Sequence, residues 1–123
     1  MDIRIRHADN RDCQSIVRFV RATLQDMASV GGHEVNSDEI FWQRYGEKIV
    51  EFIRQGDRLY LLAQTGSSVL GFLEGKIIKL NEVFAHNKCF HISAVYVIPE
   101  SRQRGIATSL VQEALGWASE QGC

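Results

Sequence analysis

Apolar and polar positions change period several times along the chain, and each change marks an element. Ile3, Ile5 and His7 alternate with Arg4 and Arg6, the period of a half-exposed strand. Asp9 then offers an N-cap with Asp12 three residues on, and Ile16, Val17, Phe19, Val20, Leu24 and Met27 recur at helical spacing to about Ala28. Gly31-Gly32 ends that helix. Asn36, with Glu39 at capping-box spacing, predicts a second start, and Phe41, Tyr45, Ile49, Phe52 and Ile53 mark its apolar face as far as Gly56.

The period then shortens. Leu59–Ala63 is an apolar run too short for a helix, and Gly66-Ser67-Ser68 predicts a hairpin into a long strand over Val69–Leu80. A polar loop around Asn81–Asn87 leads to a third run, Phe90–Ile98, rich in β-branched and aromatic residues. Pro99, the one proline of the chain, stops it, because it lacks a backbone donor and biases Ile98 toward extended geometry. Ile106, Leu110, Val111, Ala114, Leu115 and Ala118 predict a closing amphipathic helix to about Gln121. The order β-α-α-β-β-β-α describes an α/β (α+β) domain with a mainly antiparallel sheet, over residues 1–123 and without internal repeats.

Composition narrows the function classes. The 123 residues are 45% hydrophobic and 24% charged, which suits one soluble globular domain. Net charge is -1, and it is balanced in both halves: residues 1–60 carry nine basic and ten acidic groups, residues 61–123 five and five. No electrostatic footprint for nucleic acid or an anionic membrane results. The start is charged and alternating, without the apolar core of a signal peptide, and no apolar run approaches the roughly 20 residues of a membrane span. Cys13, Cys89 and Cys123 are odd in number and lack metal-ligand spacing, so a reducing cytoplasm is expected, with Cys89 a plain thiol rather than a nucleophile.

The informative stretch is Val95-Tyr96-Val97-Ile98-Pro99-Glu100-Ser101-Arg102-Gln103-Arg104-Gly105-Ile106-Ala107-Thr108. A strand ends, a loop turns, and a helix opens on two arginines and a glycine. Cations are disfavoured at a helix N-terminus, and Arg102 and Arg104 have no acidic neighbour in that turn. An anion would satisfy both the arginines and the unpaired N–H groups, with Gly105 allowing close backbone approach. A pyrophosphate fits, although a solvated turn with a packing glycine accounts for the same residues. No GxGxxG follows the first strand and no GxxxxGK[ST] occurs, so dinucleotide redox and nucleotide hydrolysis are unsupported.

Arg102-Gln103-Arg104-Gly105-Ile106-Ala107 resembles the R/Q-x-x-G-x-G/A motif of the GNAT superfamily of N-acetyltransferases. The preceding Val95-Tyr96-Val97-Ile98-Pro99 is similar to its fourth strand and Ile3–Asp9 to its opening, and the element order is that of its first two thirds. Gln103 departs from the pattern, standing where many members have glycine. The resemblance implies that Gln103–Thr108 hold the pyrophosphate of acetyl-CoA as co-substrate. It also implies that Val95, Tyr96 and Val97 pair with the pantetheine arm and that a backbone N–H near Val97 polarises the thioester carbonyl. Cofactor-binding residues are thus expected at Val95, Tyr96, Val97, Arg102, Gln103, Arg104, Gly105, Ile106, Ala107 and Thr108, with no metal.

The base that the resemblance implies lies earlier on the fourth strand, at His91 or Ser93, both expected on the face of Val97. Histidine suits proton transfer near neutrality. A base relayed through water, Glu74 and Glu82 are the alternatives. The family's usual acid, a tyrosine beyond the third helix, has no counterpart, and the fold is expected to be C-terminally truncated. Asp26, His33, Glu34, Trp42 and Tyr45 could build an acceptor pocket, though packing and solvation explain them equally. The expected activity is N-acetyl transfer to a primary amine of a small molecule or protein. The alternative is a non-catalytic acyl-CoA-binding module. Open strand edges predict a homodimer.

Overall fold

Tyr60 and Leu62 alternate with Leu59, Leu61 and Ala63, and all five are almost wholly buried, so their strand must be covered on both faces. A computed structural model, which describes residues 2–123, shows how. Strands β1 (Arg4–His7), β2 (Arg58–Thr65), β3 (Ser68–Lys79) and β4 (Lys88–Val97) form one sheet in the order β1-β2-β3-β4. Every neighbouring pair is antiparallel. Helices α1 (Cys13–Ser29) and α2 (Glu39–Gln55) cover one face and α3 (Ile106–Glu120) the other.

The alternation of β2 separates two cores. Leu59, Leu61 and Ala63 join Leu73 and Val97 under Ile106, Leu110 and Ala114 of α3. Tyr60, Leu62 and Phe72 meet Ile16 and Phe19 of α1 and Trp42 and Ile49 of α2, with the Phe19 and Phe72 rings stacked at 5.5 Å. Fully burying a side chain such as Phe72 or Leu110 contributes about 1.5–3 kcal/mol. Leu115, expected on the apolar face of α3, is exposed, because the buried stripe runs through Leu110, Ala114 and Ala118 and Leu115 lies 100° past Ala114.

Helix ends follow local chemistry. Asp9 is the expected cap, and with Asp12 it forms a capping box on a single 3₁₀ turn (Asn10–Asp12) that leads into α1. At the other end Gly31 takes φ +104° and the Gly32 N–H returns to the Met27 carbonyl at 2.8 Å. The cap of α2 corrects the sequence reading. Asp38, not Asn36, caps it, its Oδ1 accepting from the Ile40 N–H at 2.9 Å. Asn36 Oδ1 accepts instead from the Asp38 N–H in a preceding turn, and Glu39 pairs with Arg21 at 3.0 Å. Gly66, at φ +57°, turns β2 into β3 through the expected hairpin.

Candidate active site

The cofactor expectation rests on a strand end and a helix start, and the fold brings them to one cleft of about 550 Å³. Its walls include Val95, Tyr96 and Val97 from β4, then Arg102, Gln103 and Gly105 to Thr108 from the turn and α3. Arg104 is not among the lining residues. Thr23, Asp26 and Met27 of α1 and Ser101 complete the wall. The sequence did not mark Thr23 and Met27 for this role, because a helical period shows which residues share a face and not what that face meets.

β4 is an edge strand, open on its far side among the described residues. The Ile98 N–H bonds the Leu70 carbonyl on the β3 side at 2.8 Å. Strand alternation then turns the N–H and C=O of Val97 and Val95 toward the open edge. α3 begins with Gly105 at φ +80° as its N-cap, without a side-chain cap bond and without an acid in its first turn. Its first N–H groups therefore stand without side-chain acceptors, with the partial positive charge of the helix end behind them. No atom lies within 4 Å of the position a Gly105 Cβ would occupy, so the approach to those groups is clear.

Two details of the arginines differ from expectation. Helix α3 starts at Ile106, so Arg102 and Arg104 precede its first turn rather than sit in it. Arg102 also has an acidic neighbour from elsewhere in the chain. Its Nε donates to the Val97 carbonyl at 2.8 Å, its guanidinium lies over the Tyr96 ring at 5.2 Å, and it reaches Asp26 of α1 at 3.7 Å. Arg102 thus ties the turn to β4 and α1 while lining the cleft. Asp26 belongs to that tie and lines the same cleft. Gln103 adopts φ +65°, the left-handed region that favours glycine, which gives a physical reason for glycine at this place in the motif.

The proton-transfer candidates are placed by a bulge. β3 and β4 pair Gly75 with Ile92 but Glu74 with Ala94, so Ser93 is the extra residue. The expectation that His91, Ser93 and Val97 share a face therefore fails. Val97 packs toward α3 with Val95 and Ile92, whereas His91, opposite Lys76, lies on the face of Ala94 and Tyr96, toward α1 and α2. His91 and Ser93 are both exposed.

Other candidates separate cleanly. Trp42 is 4% exposed with its Nε1–H donated to the Asn36 carbonyl, a core residue. His33 and Glu34 are exposed in the α1–α2 connection and Glu82 in the β3–β4 loop. Tyr45 is half-buried, its phenol pushed up by burial and then by the Glu74 carboxylate. Tyr60, directly across from Glu74, is pushed further up by the same two causes in the same order. The Tyr60 hydroxyl and one Glu74 carboxylate oxygen are both buried, face each other and have no other hydrogen-bond partner among the described residues. Tyr60 carries no sequence signal for this, since a tyrosine in an apolar run has the pattern of a core residue.

The acetyltransferase (GNAT) family profile matches residues 21–123, and the chain belongs to that family. It is similar in fold to a predicted acetyltransferase from Clostridium acetobutylicum solved with acetyl-CoA, at 19% identity and TM-score 0.81 over 98% of this chain and 75% of that one. The PaiA N-acetyltransferase of Thermoplasma acidophilum, in complex with coenzyme A, matches at 24% identity and TM-score 0.73, over 99% and 75%. The aminoglycoside N-acetyltransferase AAC(6')-Iy, with a bisubstrate analog, matches at 16% and 0.75, over 100% and 76%. No curated protein matches the chain. Among the described residues no group of His, Cys, Asp and Glu could hold a metal ion, and no helix is long and apolar enough to cross a membrane.

Proposed function

We propose that the protein is an acetyl-CoA-dependent N-acetyltransferase acting on a primary amine by direct attack within a ternary complex. The observation that carries this reading is the cleft in which an open strand edge runs into an uncapped helix N-terminus. Acetyl-CoA supplies an activated thioester there, and its chemistry fits the donors present. The N–H groups of Ile106, Ala107 and Thr108, beside Arg102, Gln103 and Arg104, suit a pyrophosphate. The outward N–H and C=O groups of Val95 suit an extended amide chain, and the Val97 N–H, whose carbonyl is held by Arg102, suits an acyl oxygen gaining charge. Positioning accounts for most of the rate. The amine nitrogen attacks the acetyl carbon, and the carbon–sulfur bond breaks with coenzyme A leaving as the thiolate. The amine proton passes to His91 through a relay of waters, because His91 stands six residues from Val97 on the other face of β4. Ser93, beside it in the bulge, is the alternative relay.

The aminoglycoside enzyme among the structural neighbours supports an amine acceptor. Three unpaired cysteines suit a reducing cytoplasm. Gly105→Glu tests the cofactor placement. The new side chain meets no protein atom but lines the cleft with a negative charge, and Gly105→Ala, which carries the same backbone strain at φ +80° without the charge, is the control. Calorimetric titration should show coenzyme A affinity falling by well over tenfold while the fold persists, and unchanged affinity would refute the placement. Thiol release with acetyl-CoA and a panel of amines tests transfer. Release no faster than background with every amine would leave a non-catalytic acyl-CoA-binding module instead.

A further inference from the structure

Two rows of side chains cross the sheet on the face beneath α1 and α2. One joins Tyr60, Glu74 and Ala94 on β2, β3 and β4. The next, two residues along, joins Arg58, Lys76 and His91. The first row holds the Tyr60 hydroxyl and a buried Glu74 carboxylate oxygen, which face each other and have no other hydrogen-bond partner among the described residues. The second places Arg58 directly opposite Lys76, an arrangement of like charges that destabilises a sheet unless something offsets it. Among the described residues neither cation is in an ion pair, and the Arg58 guanidinium lies instead over the Phe52 ring at 3.7 Å. Among the described residues Glu74 likewise has no ion-pair partner within 4 Å. An acid and two bases thus stand on one face in adjacent rows without closing an ion pair among the described residues, next to the bulge at Ser93.

We propose that the acceptor is an amino acid, its ammonium received by Glu74 and its carboxylate by Arg58 and Lys76. The inference rests on the acetyltransferase reading and names the substrate class of that site. Residues two apart on a strand are separated by about 6.6–6.8 Å at the backbone, a gap that the long Glu and Lys side chains can close around a small zwitterion. Tyr60 is 3% exposed and cannot leave its place. Its hydroxyl is a positioning group, set to donate to the buried oxygen of Glu74 and aim the outer oxygen at the ammonium. A monoamine without an acid group would leave Arg58 and Lys76 unpaired, so the same residues discriminate against it.

The test is binding to the protein saturated with coenzyme A, measured by calorimetry. L-glutamate, L-methionine, L-phenylalanine and L-lysine are each compared with their own α-carboxamides, which keep the amine and lose the anion. The best-bound amino acid should bind at least tenfold tighter than its amide. Lys76→Gln should weaken the acid about tenfold and leave the amide unchanged, and Lys76→Glu should reverse the order. Arg58→Gln provides a second variant at a different strand position. Equal affinity for acid and amide, tighter amide binding, or no binding of any of the four overturns the proposal. Failure of the acetyltransferase reading is seen separately, as absent coenzyme A binding or absent thiol release. In that case the acid–amide comparison is made on the protein alone and decides the same question.

Discussion

Asp12 accepts from both terminal nitrogens of Arg6, at 2.8 and 2.9 Å, and from the backbone N–H of Asp9 at 2.8 Å. One nearly buried carboxylate therefore joins strand β1 to the start of α1. Asp12→Asn keeps the shape but loses the charge-assisted pair, and we expect a loss of about 1–2 kcal/mol in chemical denaturation at pH 7. Acid should remove the same contribution from the parent. The hydrogen bond from Arg6 is the largest cause holding the Asp12 carboxyl below its usual range, so its stabilisation is complete above the unfolded value, about 3.9. It is lost as pH falls below that value through the folded one. The difference between parent and Asp12→Asn should thus shrink between pH 5 and pH 2, and a constant difference would contradict the assignment. Asp9 and Asp12 were legible as a cap from their spacing alone. Arg6 as the partner was not, because alternation assigns a face to a residue and not the residue it meets.

Strands β3 and β4 carry the part of the site that periodicity could only half resolve. Their existence and limits follow from the apolar runs and from Pro99, and the structure moves their ends by only one or two residues. The bulge at Ser93 leaves no such mark, since inserting one residue in a run of mixed small and β-branched side chains disturbs no visible alternation. It nonetheless decides that His91 shares a face with Tyr96 rather than Val97. The motif at Arg102–Ala107 is legible because a positive-φ glycine and an uncapped helix start are local demands on residue type, which a sequence displays directly. Arg102 bridging to Asp26 is a long-range contact and left no trace. Gly71 gives an element-scale prediction. A Cβ there would lie 2.7 Å from the Tyr96 carbonyl oxygen and 3.2 Å from the Val97 side chain, so Gly71→Ala must push β4 away from β3 at the cleft. We expect a stability loss of about 1–3 kcal/mol by thermal or chemical denaturation together with weaker coenzyme A binding. A destabilised variant with parental coenzyme A affinity would show that the β4 edge does not set the binding geometry.

At the scale of the whole molecule, the sheet ends on two unequal edges. β1 is four residues long and linked through Arg6 to the start of α1, the kind of short edge that does not recruit another chain. β4 is ten residues long, and only its last part borders the cleft. Near its beginning the chain exposes Ile78 and Leu80 at the end of β3, then Val83 and Phe84 in the loop that leads into β4. An open strand edge beside exposed apolar side chains is a surface suited to a second copy of the same chain, pairing two-fold along Lys88–Ile92. That pairing would leave the cleft at Val95–Val97 accessible in both copies. We therefore expect size-exclusion chromatography with light scattering to give twice the chain mass at micromolar concentration, and Phe84→Glu to return it to the single mass without loss of coenzyme A binding. A single mass for the parent protein at every concentration would reject the dimer. A dimer unaffected by Phe84→Glu would move the interface away from this edge.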